Sequence, residues 1–255
     1  MKAKALTIKA MLTFEECEAR QKAIEAKTWK EDGVDPITEY VNAYFSGNME
    51  ALVAQSNGKF YKKGGKELKK EYQQGEKIWS TLTYDEYLGK VLKEDGQRDF
   101  KVSGTVANYP FEETVSYFDG SRQAGLIVHL KILKSLTNKL ISPFFDNKEV
   151  SQLKDAFKRY GYDMEFWLKA HLVSNEVGKK CQTFALALSK EDEPDKELVY
   201  FSDDVLEAGK KRLLHLLSLY GEVERGERDP KRCEHCDYCR NTKVLKSSIK
   251  FEDLH

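Results

Sequence analysis

Several things are missing from this chain of 255 residues, and each absence excludes something. There is no net charge, because 42 basic residues balance 42 acidic ones. Bulk attraction to nucleic acid is thereby excluded, and any such surface has to be local. No window approaches the length that spans a bilayer. The opening Met1-Lys2-Ala3-Lys4-Ala5-Leu6 has no continuous apolar run behind it, so no signal peptide is visible. A soluble protein of the cytoplasm with no membrane partner is expected. Cysteine is scarce and odd in number, five in all with three clustered, which argues against a disulfide framework and for a reducing compartment. No internal repeat and no clean linker appear, and the length suits one substantial core with at most a small appendage.

The three clustered cysteines are the most informative feature. They lie in Cys233-Glu234-His235-Cys236-Asp237-Tyr238-Cys239-Arg240. Two-residue gaps let three sulfurs converge on one metal or cluster, leaving a four-coordinate site one ligand short. Cys17 and Cys181 lie outside the triplet and His235 lies within it, and any of these can complete the set. With Cys17 as the fourth, the metal site closes the chain into a ring. The bland alternative is three reduced surface thiols, which carry an oxidation liability.

The first third reads as helices. Thr13 followed by Glu16 reads as a capping box opening a helix with Cys17 on its first turn. Asp35-Pro36 reads as an N-cap and first position of a helix that Gly47 stops. Lys59 to Lys70 reads as a solvated lysine-rich loop, broken by Gly64-Gly65, running into a helix. The period then changes. Lys101 to Asn108, Thr114 to Phe118 and Leu126 to Ile132 read as strands, with Asp119-Gly120 a hairpin turn. A long helix is expected from about Glu149 to Ser174, with Leu153, Phe157, Tyr160, Met164, Leu168 and Leu172 at helical spacing. Strands over Gln182 to Ser189 and Leu198 to Phe201 follow, then a helix capped by Ser202 that ends near Gly221. This order predicts an α/β (α+β) chain: one mixed sheet flanked by helices, a helical N-terminal portion and a C-terminal cysteine cluster. The expected layout is a single domain, 1–255, made of a mainly helical part (1–98), a sheet core with long helices (99–225) and a cysteine-cluster tail (226–255).

The third strand, Gly125-Leu126-Ile127-Val128-His129-Leu130-Lys131, is the second informative feature. Positions two apart share a sheet face, so His129 and Lys131 point the same way. An apolar strand ending in such a pair resembles the PD-(D/E)XK nuclease core, where carboxylates hold a divalent metal and a lysine orients the attacking water. The flanks extend the resemblance to phage- and prophage-borne PD-(D/E)XK nuclease-like proteins related to RecE-type recombination exonucleases. They include Glu16-Cys17-Glu18-Ala19-Arg20, Tyr40-Val41-Asn42-Ala43-Tyr44-Phe45, Lys62-Lys63 to Tyr72 and Tyr160-Gly161-Tyr162. The last is Arg232-Cys233 to Thr242-Lys243-Val244-Leu245. In the wider RecB-like superfamily, one early and three late cysteines ligate a [4Fe–4S] cluster. The resemblance thus implies Cys17, Cys233, Cys236 and Cys239 as ligands, with zinc the alternative centre.

The departures bear on activity. Asn42, His129 and Glu165 stand where the family has an acid, an acid and a glutamine. The acid of the second strand falls on Asp119 or, with a longer turn, on Val115, with Glu112 and Glu113 nearby. Imidazole removes a negative charge and suits softer metals than magnesium. His129 is read as a strand histidine satisfied by hydrogen bonds, or else as a metal ligand. The expectation is a phage-derived nuclease-like protein, catalytically inactive. It acts by binding DNA or a protein partner, as an accessory to a phage recombinase or as an inhibitor of a host defence (CRISPR) complex. One alternative is an active magnesium- or manganese-dependent DNA exonuclease with a site rearranged around Asp119, His129, Lys131 and Glu165. The other is a structural subunit.

Overall fold

The computed structural model describes residues 5–31, 33–55, 59–63, 67–136 and 157–244. Chain contacts divide the protein into two compact units. One holds residues up to Ile8 and Gly33–Leu213; the other joins Lys9–Asp32 to Leu214–His255. Residues 9–32 therefore group with the cysteine tail rather than with the helical part to which their position assigns them.

Among the described residues helices come first: α1 (Ile8–Glu16), α2 (Glu18–Glu25), α3 (Pro36–Phe45), α4 (Met49–Gln55), α5 (Lys70–Thr83) and α6 (Glu86–Val91). The expected cap at Asp35-Pro36 is present, with Asp35 accepting from the Thr38 amide at 3.2 Å. The capping box at Thr13 is not. Thr13 lies inside a helix already running, and its hydroxyl donates back to the Lys9 carbonyl. Cys17 takes the extended N-cap position between α1 and α2 instead.

The sheet follows: β1 (Gln97–Val106), β2 (Tyr109–Asp119), β3 (Gly125–Leu133), β4 (Cys181–Ser189) and β5 (Lys196–Phe201), in that spatial order. Among the described strands β3 and β4 alone run parallel, and the chain between them includes α7 (Tyr162–Val177). The sheet is thus mixed, as expected. Asp119 is the last residue of β2, paired with Leu126, so no tight turn forms at Asp119-Gly120. The first turns of the helix expected from Glu149, with Leu153, lie outside the described residues, as do Gly64, Gly65 and Leu245. Within them that helix is broken at Gly161, whose left-handed φ of 66° starts α7 afresh. Helix α8 (Asp203–Glu224) runs one turn past Gly221, and α9 (Asp237–Asn241) closes the described chain.

Strand alternation sends β3 to two cores. Leu126, Val128 and Leu130 pack with Val41 and Phe45 of α3, Ile78 and Leu82 of α5 and Leu88 of α6. The opposite face carries Ala185, Ala187 and Phe201 against Phe166 of α7 and Leu206 of α8. None of the described helices is long and apolar enough to cross a membrane.

Helices α7 and α8 touch backbone to backbone at Gly209. A methyl group there would lie 2.2 Å from the Asp163 carbonyl oxygen and 2.7 Å from the Met164 nitrogen, atoms that cannot swing aside. Alanine is the better helix former by about 1 kcal/mol, yet overpacking costs about 1–3 kcal/mol. Gly209→Ala is expected to lower thermal stability; an unchanged or raised melting temperature refutes this close approach.

Candidate functional site

The face of the sheet under α7 carries the first candidate site, and an irregularity in β2 decides which acid reaches it. Val102 opposes Glu113 and Phe100 opposes Val115, so these four share a face. Phe118 stacks on Phe100 at 4.8 Å and therefore shares it too, although 115 and 118 differ by an odd number. The alternation slips between them. At the slip the Leu130 amide donates to Ser116 Oγ, and Asp99 on β1 takes a φ of 49°. Regular pairing of β2 with β3 covers only Tyr117–Asp119. The slip delivers Glu113 to the face of His129 and Lys131, whereas Asp119, paired with Leu126, lies on the other face.

Helix α7 supplies the rest. Tyr162, Glu165, Phe166 and Lys169 lie three and four apart and share one side of the helix. Glu165 is buried. Lys131 Nζ donates to both its oxygens, at 2.8 and 2.7 Å, and Lys169 Nζ donates to Oε1 at 2.8 Å. Lys169 also lies 3.6 Å from Glu113, whose other oxygen accepts from the Ile8 amide. The ring of Tyr162 covers Lys131 at 4.5 Å. Two carboxylates and two ammonium groups therefore close on one another.

Burial pushes the Glu165 carboxyl up, but Lys131 and Lys169 hold it far below the usual carboxylate range. Burial lowers Lys131, and Glu165 only partly opposes this. Lys169 is also lowered by burial, but Glu165 and Glu113 carry it above its ordinary value. For Glu113 burial wins and the carboxyl is raised.

His129 stacks on Phe166 with ring centroids 4.2 Å apart and planes within 7°. It is fully enclosed, and neither ring nitrogen has a hydrogen-bond partner. The expectation of a histidine satisfied by hydrogen bonds is thus corrected. Burial, then Lys169, drive its pKa well below the ordinary value, so the ring is neutral.

Of the four residues expected together, the structure assembles His129, Lys131 and Glu165. Asp119 sits at the end of β2, accepting from Ser121 Oγ at 2.6 Å and Arg122 Nε at 2.8 Å. Burial opposes its ionisation, yet these partners bring its pKa down to about 2. It pins the loop after β2. Asn42 is exposed on α3, whose buried residues Val41 and Phe45 pack on the other face of the sheet. Lys169 escaped the sequence reading; its signal is opposite charge four residues after Glu165.

The second site lies within the smaller unit. The sulfurs of Cys17, Cys233, Cys236 and Cys239 all fall within 4.8 Å of one another, close enough to hold a metal. Cys17 and Cys239 are buried, and Cys233 and Cys236 are half-buried. The neighbour of Cys17 fixes its place. Glu18 accepts from Arg228 Nη2 at 3.1 Å and from the Lys231 amide at 2.8 Å, while the Ala19 amide donates to the Lys231 carbonyl. Burial raises the Glu18 carboxyl, but Arg228 and Lys231 leave it below its ordinary value. The other candidates for fourth ligand fall away. Cys181 is buried at the start of β4 near the Lys179 carbonyl, and His235 is exposed with Nδ1 on the Cys233 carbonyl at 2.7 Å.

Comparison with known proteins bears on the chain as a whole. A family model described as a PDDEXK-like domain of unknown function (DUF3799) matches residues 8–242. The crystal structure of a "Putative exonuclease" from Eubacterium rectale aligns with a TM-score of 0.83 at 23% identity, covering 98% of this chain and 92% of that one. The two share a fold. A crystal structure of SSO0001 aligns over 95% of this chain and 98% of that one at 12% identity, with a TM-score of 0.33 that supports no inference. Among curated proteins none matches significantly.

Removing one member of a buried ion pair costs about 3–5 kcal/mol, because the partner is left uncompensated. Glu165→Gln leaves two lysines facing Glu113 alone. Loss of stability of that order is expected in urea unfolding, and a loss below about 1 kcal/mol contradicts the observed closure.

The neutral His129 gives a pH dependence with a defined sign. Its folded pKa lies below the unfolded value of about 6.5. As pH falls through that value the unfolded chain takes up a proton that the folded one refuses. The associated stability is intact above about pH 6.5 and falls by up to about 1.4 kcal/mol per pH unit below it. His129→Leu should flatten the profile between about pH 6 and 5. Parallel profiles for the two proteins refute a buried neutral imidazole.

Proposed function

The chain belongs to the PDDEXK-like family, and from that premise we propose that it is a nuclease-like protein that does not hydrolyse DNA and acts by binding. One observation carries the reading: the Glu165 carboxylate is held by Lys131 and Lys169. Magnesium demands hard oxygen ligands in near-octahedral array. A dication at this site meets two ammonium groups, has to displace both to reach Glu165, and finds a neutral imidazole where the family has an acid. Phosphodiester cleavage needs metal-held oxygens that stabilise attacking and leaving groups, and this set of residues supplies no field to hold one. The name of the Eubacterium rectale relative makes an exonuclease the natural rival reading. Glu113 is the carboxylate on which that rival would have to rely.

Beside the site lies an open groove lined by Lys101, Lys169, Glu112, Glu113 and Glu176. Its mixed charges offer no row of cations for a phosphate backbone. That favours a protein partner over DNA, in line with the expected phage-borne inhibitor of a host defence complex and against a DNA-binding accessory to a recombinase. The four cysteines carry an inorganic centre, an iron–sulfur cluster or zinc by expectation, that ties residues 9–32 to residues 214–255 of the same unit. Metal-binding energy there is folding energy. The expected place of the protein is the cytoplasm of a host cell, where thiols are kept reduced.

Metal-loaded protein incubated with linear duplex DNA and magnesium or manganese should leave the DNA intact, and a mobility-shift assay should detect no complex at physiological salt. DNA digestion that Lys131→Ala abolishes makes the protein an enzyme and overturns the reading. A salt-sensitive DNA complex without digestion would replace the protein partner by the accessory role.

A further inference from the structure

We infer that Cys17, Cys233, Cys236 and Cys239 hold one tetrahedral zinc ion, not the [4Fe–4S] cluster that the family resemblance implies. The inference rests on the reading that these thiols carry an inorganic centre, and specifies which one.

Sulfur spacing separates the two. A zinc ion with bonds of about 2.3 Å sets its four thiolate sulfurs about 3.8 Å apart. Here the sulfurs of Cys17 and Cys239 are 3.5 Å apart and those of Cys233 and Cys239 are 3.9 Å apart. No pair in the group exceeds 4.8 Å. Even a regular tetrahedron with edges of 4.8 Å has its centre only about 2.9 Å from each corner. In a [4Fe–4S] cluster each cysteine bonds a different iron. Its sulfur then lies one bond plus the distance from cube centre to cube corner from the middle of the group. A metal–sulfur bond similar to that of zinc uses most of the 2.9 Å and leaves no room for the cube. The four thiols fit a single ion and do not fit the cluster.

The loop agrees. The Cys236 amide donates to Cys233 Sγ at 3.3 Å and the Cys239 amide to Cys236 Sγ at 3.4 Å. Glu234 takes a left-handed φ of 64°, which folds the Cys233–Cys236 segment back toward its own first sulfur. Successive amides thus point at sulfur and stabilise negative charge on it, as four thiolates around one dication require. Four protein sulfurs fill a tetrahedral site and leave no open position for water or substrate, so the ion is structural. The buried Cys17 and Cys239 thiols, and Tyr238 packed edge-on against Trp29 at 5.5 Å, close the surroundings of the ion.

The test uses the full chain, produced with both iron and zinc supplied and purified without oxygen. Elemental analysis should find about one zinc per chain and no acid-labile sulfide, in a colourless protein. Replacement by cobalt should give the intense visible spectrum of a tetrahedral tetrathiolate site. Chelation should lower the melting temperature of the wild type, and added zinc should restore it, a readout that survives even if Cys17→Ser does not fold. Cys17→Ser should drop zinc well below one per chain, whereas Cys181→Ala should keep it. A brown protein with iron and labile sulfide in equal amounts overturns the zinc assignment alone. A metal-free protein as stable as one offered metal overturns the zinc assignment and the inorganic centre together.

Discussion

The Glu165 carboxylate, gripped between Lys131 and Lys169, is the constraint on which the larger unit turns. Taking these charges out of water costs several kcal/mol per ion, and only close, well-made pairs repay it. Every element of the α7 face answers to that need. β3 supplies Lys131, α7 supplies Glu165 and Lys169 one turn apart, and β2 brings Glu113 to balance the second lysine. Tyr162 and Phe166 shut solvent out above them and so raise the cost of any rearrangement. His129 shares the enclosure with no polar partner, at a cost of about 1–3 kcal/mol for an unpaired buried polar group. The same closure that stabilises the four charges engages both oxygens of Glu165 with ammonium groups. The packing of α7 on the sheet and the charge balance of this face thus have one cause.

Much of the architecture was legible because it rests on local chemistry. Asp35-Pro36 reads as a helix start since the carboxylate caps the Thr38 amide and proline fits the first turn. The β-branched run ending in Lys131 reads as a buried strand, and the crossover to a parallel β4 follows from the helix between them. The failures have equally definite causes. The Thr13 pattern is locally adequate, but a helix had already begun at Ile8 and the side chain found a carbonyl one turn back. The sequence leaves the acid of β2 between Asp119 and Val115, because the length of the turn before β3 is not legible in it. Pairing with Leu126 sets Asp119 on the face away from His129 and Lys131. The slip at Ser116 reverses the faces, and nothing in the residues 113–119 announces it. Gly161 interrupts a helix whose hydrophobic spacing runs on unbroken, since periodicity does not register one left-handed residue.

The cysteine site was the more legible of the two, because ligand spacing is a covalent property of the chain. What the triplet cannot reveal is how the fourth cysteine is brought in. That depends on Glu18, whose carboxylate bonds Arg228 and the Lys231 amide and so anchors the residue beside Cys17. Arg228 is itself shared with Glu222 at 2.8 Å. The positioning of the sulfur is thus the work of a partly buried salt bridge between Glu18 and Arg228, eleven residues upstream of Cys239 and outside the cysteine triplet.

The sequence separation across that site has a consequence for synthesis. Cys17 and Cys239 are 222 residues apart, so the contact that joins the two segments of the smaller unit spans most of the chain. At about 5–20 residues per second, the early helical segment of the unit waits on the order of ten to forty seconds after leaving the ribosome before its partner exists. During that interval α1 and α2 carry apolar faces with nothing to bury them against, while the intervening sheet is already able to fold. The order of assembly is therefore set by translation: the larger unit first, and the ring of the chain closed last.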